Sequence, residues 1–230
     1  MKQYKSDQEA TDNAYIAYEP TANDFISEAG IVVIGRPRRI TRRNKIRNST
    51  VIDMNGVGAA NYSEDTLVEK NIIVGSRGSG IGLDGERATV IDNLILNASR
   101  GVGDLDPNDG KDYSNVDVGI EIDSGIGHVI MGNVIVDSAI YQDPLTTNPL
   151  LTKWGIADYD ASIHPEAPKK GGEFMEIAGN YVYYMKRGTI HLAHTNNNVG
   201  LNYTDPLNKR RLDEAFAKIR EAGYGHLLTK

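Results

Sequence analysis

The chain has 230 residues, of which 40% are hydrophobic, and a formal net charge of −6 at neutral pH. Such a length and aliphatic content suit one elongated domain with a continuous narrow core, and the acidic balance argues against general affinity for nucleic acid. The chain has no cysteine for a disulfide framework, no apolar run long enough to span a membrane, and no N-terminal pattern of a secretion signal.

Residues 1–30 are polar and irregular and read as an N-terminal arm, with Tyr15, Ile16 and Tyr18 available to pack on the body. Ile31, Val32, Val33 and Ile34 then form a buried strand that Gly35 ends. A basic run follows: Arg36, Arg38, Arg39, Arg42, Arg43, Lys45 and Arg47. Its plain reading is an outward strand face with solvated stems. The sharper readings are a stripe that tracks an anionic glycan or an acidic neighbouring subunit. Nucleic acid ranks third, because no aromatic residues are interleaved with the arginines.

The regular body runs over 44–140, with loops at 55–66 and 104–117, and its centre is written twice. GIGLDGERATVIDNLILNASRG begins at Gly80, and GIEIDSGIGHVIMGNVIVDSA begins at Gly119. Each opens on Gly, alternates apolar residues up to an Asp (Asp84, Asp123), then gives a β-branched pair and an Asn-led aliphatic strand. The Asn-led phrase recurs at Asn44, Asn71 and Asn180; the Gly-led phrase recurs at 101–104, 155–158 and 188–192. Arg-Gly pairs at 77–78, 100–101 and 187–188 stand between the two and supply corners where Gly tolerates positive backbone angles. A repeat near twenty residues with an apolar period of two predicts a coiled parallel sheet, one repeat to a turn. Only three Phe against 24 Gly fits so thin an interior.

Past Ile140 the period breaks, and residues 141–172 read as a long functional loop or flap with four prolines and the only tryptophan, Trp154. Two turns resume up to residue 204. Asp205 and Pro206 then cap a helix whose apolar stripe includes Leu212, Phe216 and Ile219. A helix over 205–230 that covers the last open turn completes the expectation. No cap over the first turn stands out, which suggests a piece of a longer protein.

On its rung periodicity and turn asparagines, residues 31–204 resemble the right-handed parallel β-helix superfamily of pectate and alginate lyases, polygalacturonase-like hydrolases and phage tailspike depolymerases. The resemblance reaches the fold and no single family. It implies an all-β, right-handed parallel β-helix solenoid with a C-terminal capping α-helix, and a polysaccharide bound along a lateral groove. It also implies an extracellular or virion-associated setting, and it makes a homotrimer a candidate state. Calcium serves many of its lyases, so the loop aspartates Asp106, Asp109 and Asp112 are candidate calcium ligands. Those residues lack the Glu and helices of an EF-hand, and the plain reading is a solvated turn.

If turns stack in register, equivalent positions align in one column about 4.8 Å apart. Asp84, Asp104, Glu121 and Asp123, with Asp158 and then His191, would line an acidic groove, walled by the loops at 104–117 and 141–172. Carboxylates at such spacings serve glycoside hydrolysis, and crowding raises one of their pKa values so that it stays protonated. The competing reading is that Asp84 and Asp123 only bond turn amides; Glu121 and His191 fall mid-strand, where turn duty does not explain them. Candidate substrate contacts are Arg100, Lys153, Trp154, Tyr183, Arg187 and His194. Hydrolysis leads over β-elimination because acids outnumber candidate bases. The alternative is a non-catalytic structural or glycan-binding β-helix from a spike or adhesin. His128 reads as a solvated turn residue, and the histidines lack the spacing of a zinc site.

Overall fold

The computed structural model describes residues 29–33, 40–52, 55–59, 63–76, 79–98, 118–137, 152, 154–158, 171–183, 185, 188–204, 213, 216–217 and 220–221. These residues are almost entirely β. Two six-stranded sheets, one five-stranded sheet and a two-stranded sheet are parallel throughout, and sequence neighbours lie in different sheets. The chain therefore coils as a β-helix-like solenoid.

The first sheet stacks Ala29–Val33, Asn55–Ala59, Ile81–Leu83, Val118–Ile122, Trp154–Asp158 and Gly188–His191. The second stacks Lys45–Arg47, Leu67–Glu69, Thr89–Ile91, Val129–Met131, Glu176–Ala178 and Asn198–Val199. The third stacks Thr50–Ile52, Ile72–Val74, Leu94–Leu96, Val134–Val136 and Tyr181–Tyr183. Each turn contributes inward aliphatic side chains. Ile46, Val68, Val90, Ile130 and Ile177 fill the second-sheet column; Val51, Ile73, Ile95, Ile135 and Val182 fill the third. Ile81, Leu83, Ile120, Ile122 and Ile156 of the first sheet are fully buried against them.

Strand sequence decides what each sheet buries. The second sheet uses KIR, LVE, TVI, VIM and EIA, whose outer residues are largely polar or half-exposed. The third uses IIV, LIL, VIV and YVY, apolar on both faces, as a sheet covered on both sides requires. Its outward Val74, Leu94, Leu96, Val136, Tyr181 and Tyr183 form a second buried cluster, onto which Ile52, Ile72, Val134, Tyr203 and Phe216 pack. Phe216, from the predicted C-terminal helix, thus packs against the outer cluster of the third sheet. Most of that helix falls outside the described residues.

Register is held by a side-chain ladder at the corner between the second and third sheets. Asn71, Asn93, Asn133, Asn180 and Asn202 occupy equivalent places, and Nδ2 of each donates to Oδ1 of the next at 2.9 Å. The same Oδ1 also accepts the backbone N–H of the preceding ladder residue. Nδ2 further reaches a backbone carbonyl of the turn before: Ile46, Val68, Val90, Ile130 or Ile177. The separations between ladder partners are 22, 40, 47 and 22 residues. A 22-residue turn is therefore the unit, and the excess is inserted loop.

Ser49, not Asn44, holds the ladder position of the first turn and donates its N–H to Asn71 Oδ1. Asn44 belongs to the other corner, aligned with Thr66, because Lys45 pairs with Leu67. The corners on either side of the second sheet bend through left-handed residues in each of the five turns before the last. Arg43, Asp65, Arg87, Gly127 and Phe174 form one such column, and Asn48, Lys70, Asp92, Gly132 and Gly179 the other. Arg, Asp, Lys and Asn thus fill many of these corners, while the Arg-Gly corners expected at 77–78 and 100–101 lie outside the described residues. The Gly that leads each first-sheet strand has another purpose: a Cβ on Gly80, Gly119 or Gly155 would collide with core Ile95, Ile135 or Val182.

Two sequence expectations change here, the first being the loop expected at 55–66, which holds strands Asn55–Ala59 and Ser63–Glu64. Ile81–Leu83 pairs directly with Val118–Ile122, and residues 101–104, expected to carry a copy of the same phrase, lie outside the described residues. Residues 154–158 form a full strand of the first sheet, which divides the expected 141–172 loop in two.

Asn133→Ala would remove an acceptor shared by two Asn93 donors and strip donors from the Val90 and Met131 carbonyls. Buried groups left unpaired make this cost about 3 kcal/mol. Urea unfolding would measure it, and a loss under about 1 kcal/mol would show that the ladder is replaceable by local relaxation.

Candidate functional site

In Val118–Ile122 the alternation of the strand turns Ile120 and Ile122 inward and Glu121 outward, where it is half-buried. Register places Glu121 between Gly82 and Ala157, and Ala157 next to His191. Glu121 and His191 thus share one column of the first sheet, two turns or about 10 Å apart. A Cβ at Gly82 would meet nothing within 4 Å, so the carboxylate has room on that side, while Ala157 on the other side is only 1% exposed.

Ser79, aligned with Val118 one turn earlier, donates its hydroxyl to Glu121 Oε2. Trp154 opens the next strand, and its ring stacks on His191 with centroids 4.7 Å apart and planes inclined by 16°. That placement depends on Gly188, where a Cβ would come within 2.5 Å of the Trp154 ring. The outer face of the first sheet therefore joins a hydrogen-bonded carboxylate to an aromatic platform two turns away. In the chain, residues 99–117 and 138–151 precede first-sheet strands and 159–170 follows one, and all three segments lie outside the described residues.

The aspartates divide. Asp84 and Asp123 are equivalent residues of neighbouring turns, just past the ends of paired strands. Asp84 accepts the Ser124 hydroxyl through Oδ1, and the Asp123 N–H bonds the Leu83 carbonyl at 2.8 Å. Asp158 is an inward residue and lies outside the groove expected of it. It is 3% exposed, and its carboxylate accepts N–H groups of Gly172 at 3.0 Å and Ala193 at 2.6 Å. Burial raises its pKa, opposed by those amides and by His194. Asp104 lies outside the described residues, as do Asp106, Asp109 and Asp112 of the calcium reading and Arg100, Lys153 and Arg187.

Tyr183 is buried in the outer cluster of the third sheet and so faces a different flank from Glu121. His194 sits in the corner past Gly188–His191, where its carbonyl accepts Asn197 Nδ2 at 3.1 Å, while His191 remains on the exposed strand. Among the described residues no group of three or more His, Asp or Glu is placed to hold a metal ion, and no helix is long and apolar enough to cross a membrane. The described part of the basic run is largely engaged with the next turn: Arg42 pairs with Glu64 at 3.0 Å and Arg47 with Glu69 at 3.7 Å.

His128 overturns its sequence reading. It is fully buried at the corner that leads into the second sheet. Its Nδ1 accepts the Ala88 N–H at 3.1 Å, so the ring proton resides on Nε2 and is donated to the Ser124 carbonyl at 3.0 Å. In the same column, Asn197 Oδ1 accepts the Met175 N–H at 2.9 Å. The imidazole thus replaces an asparagine of a second, shorter ladder. A single His in a Gly-rich turn gave no sign of this, because the signal is its alignment with Asn197.

The sequence matches no protein-family model, no curated protein and no solved structure.

Burial depresses the pKa of His128, against smaller pulls from the Ser124 carbonyl and from Asp158, Glu86 and Asp84. Between that value and the ordinary value of about 6.5, the unfolded chain binds the extra proton, so stability rises with pH in this window. The His128 contribution is present above about pH 6.5 and is lost as the pH falls below it. Asp158, with its raised pKa, acts with opposite sign. Urea midpoints at pH 7 and pH 5 should therefore fall on acidification more in the wild type than in His128→Asn. Equal slopes in the two proteins would exclude the effect.

Proposed function

We propose that the protein is a carbohydrate-active, right-handed parallel β-helix that lays an extended polysaccharide along the outer face of its first sheet and hydrolyses a glycosidic bond there. The observation that carries the reading is the pairing, on one flank, of mid-strand Glu121 with the Trp154–His191 platform. An aromatic ring offers a sugar's apolar face a large rigid surface at little entropic cost, and a carboxylate offers acid–base chemistry beside it.

Carboxylate spacing favours the inverting route. The turns on either side of Glu121 present Gly82 and Ala157, so it has no carboxylate one turn away in its own column. Asp123 lies two residues along the same strand direction, roughly 6.6 Å by strand rise, within the range that leaves room for an activated water. Glu121 gives its proton to the glycosidic oxygen as the bond to the anomeric carbon breaks. Asp123 takes a proton from the water that attacks the opposite face. Ser79 fixes the acid by its hydroxyl, and the stacked platform holds the chain.

A second reading, glycan binding without cleavage, draws on Asp84, which Ser124 holds in a turn. Reducing-end release over a polysaccharide panel, together with the near-ultraviolet absorbance of unsaturated uronates, separates the cases. Hydrolysis yields new ends without absorbance, elimination yields both, and binding alone yields neither.

Glu121→Gln should lower turnover by about 10²-fold or more while the unfolding midpoint holds, as removal of a general acid does; unchanged turnover would take Glu121 out of the reaction. Trp154→Ala should weaken glycan binding roughly tenfold, the loss expected for one stacked ring. Trp154 is the only tryptophan, so glycan titration should also change the wild-type fluorescence, and a silent titration would place the ligand elsewhere.

A further inference from the structure

A continuous hydrogen-bonded path leads from the core to the glycan face. The Ala88 N–H donates to His128 Nδ1, and His128 Nε2–H donates to the Ser124 carbonyl. The hydroxyl of Ser124 then donates to Asp84 Oδ1. The same serine thus receives the imidazole through its backbone and grips the carboxylate through its side chain. Gly125 packs so closely on the ring that a Cβ there would come within 2.5 Å of Nε2.

We propose that His128 is a positioning residue for Asp84: the protonation of its ring decides, through Ser124, whether the Asp84 carboxylate stays tethered in its turn or is released to the lateral face. The inference rests on the reading that this face binds glycan, but only for its consequence, since the tether itself is a property of the corner.

The physical reason lies in donor and acceptor count. A neutral imidazole has one donor and one acceptor, and both are used here. An imidazolium has two donors, and its new Nδ1–H would point at the Ala88 N–H, which can only donate. The ring must leave that position, and it takes the Ser124 carbonyl contact with it. Three carboxylates pull on the ring's charge: Asp84 and Glu86 from the preceding turn and Asp158 from the end of its first-sheet strand. Glu173, in the following turn that bridges to Ile126, is engaged by Asn196 Nδ2 at 2.9 Å. Arg87 is turned outward onto Glu64, Asp65 and Glu86. The pull of the carboxylates makes a charged ring attainable on acidification, while burial keeps it neutral near pH 7.

The test is an NMR titration of the full chain that follows the Asp84 side-chain carboxyl, the His128 ring and the Ala88 and Ser124 amides. In the wild type the Asp84 carboxyl should show two inflections, its own and a second that coincides with the His128 ring and with both amides. The second should vanish in His128→Asn, which keeps a side-chain acceptor for Ala88 as Asn197 does for Met175. It should also vanish in Ser124→Ala, which leaves the field of the ring charge in place and removes only the tether. One inflection for Asp84 in the wild type, or two that survive in Ser124→Ala, would overturn the proposal. Two coincident inflections in a protein that turns over no glycan would defeat the catalytic reading and leave this one standing.

Discussion

The asparagine ladder is the constraint from which the rest follows. A parallel coil is built from contacts between residues far apart in sequence, and nothing local in three-residue strands fixes which turn lies on which. Side-chain amides supply that information because each offers both donors and an acceptor, and a misaligned turn would leave several of them buried and unpaired. Five asparagines answer one another at the same distance although the chain between them varies from 22 to 47 residues. The strands on either side inherit their alignment from this corner. So does the column that brings Glu121 and His191 onto one flank.

The polar corners also show how a thin core tolerates titratable groups. His128 and Asp158 are both buried, and each has its hydrogen bonds supplied by backbone amides or carbonyls, one from its own turn and one from a neighbouring turn. Their pKa values are displaced in opposite charge senses by the same burial: the base is held neutral and the acid is pushed towards neutrality. Burial dominates because both side chains are almost wholly enclosed, and backbone partners soften the cost without removing it.

The coil, its parallel strands and most ladder asparagines were legible because they repeat. GIGLD and GIEID, or DNLIL and GNVIV, are recognisable copies, and period two gives their inward residues directly. Legibility failed where one residue type serves two corners. Asn44 looks like a ladder residue in sequence and belongs to the other column, whereas Ser49 takes the ladder place with only a backbone N–H. It failed again where a function changes chemistry but not geometry, as when His128 does the work of an asparagine. The phrase at 154–158 joined the stack in spite of being a poor copy, just as Asn44 joined a different column in spite of being a good one. Period alone cannot say which of these outcomes the neighbouring turns will accept. The two-sided burial of the third sheet was present in its uninterrupted apolar strands, but its covering comes from a distant part of the chain.

The uneven spacing of the ladder partners has an evolutionary consequence. The extra length enters at seams beside the first sheet, while the bend between the second and third sheets keeps one left-handed residue before each ladder position from Ser49 to Asn180. Segments grafted at those seams would alter what the flank of Glu121 encounters and leave the stacking code untouched. Selection can thus revise the periphery of this protein by insertion, without renegotiating its scaffold.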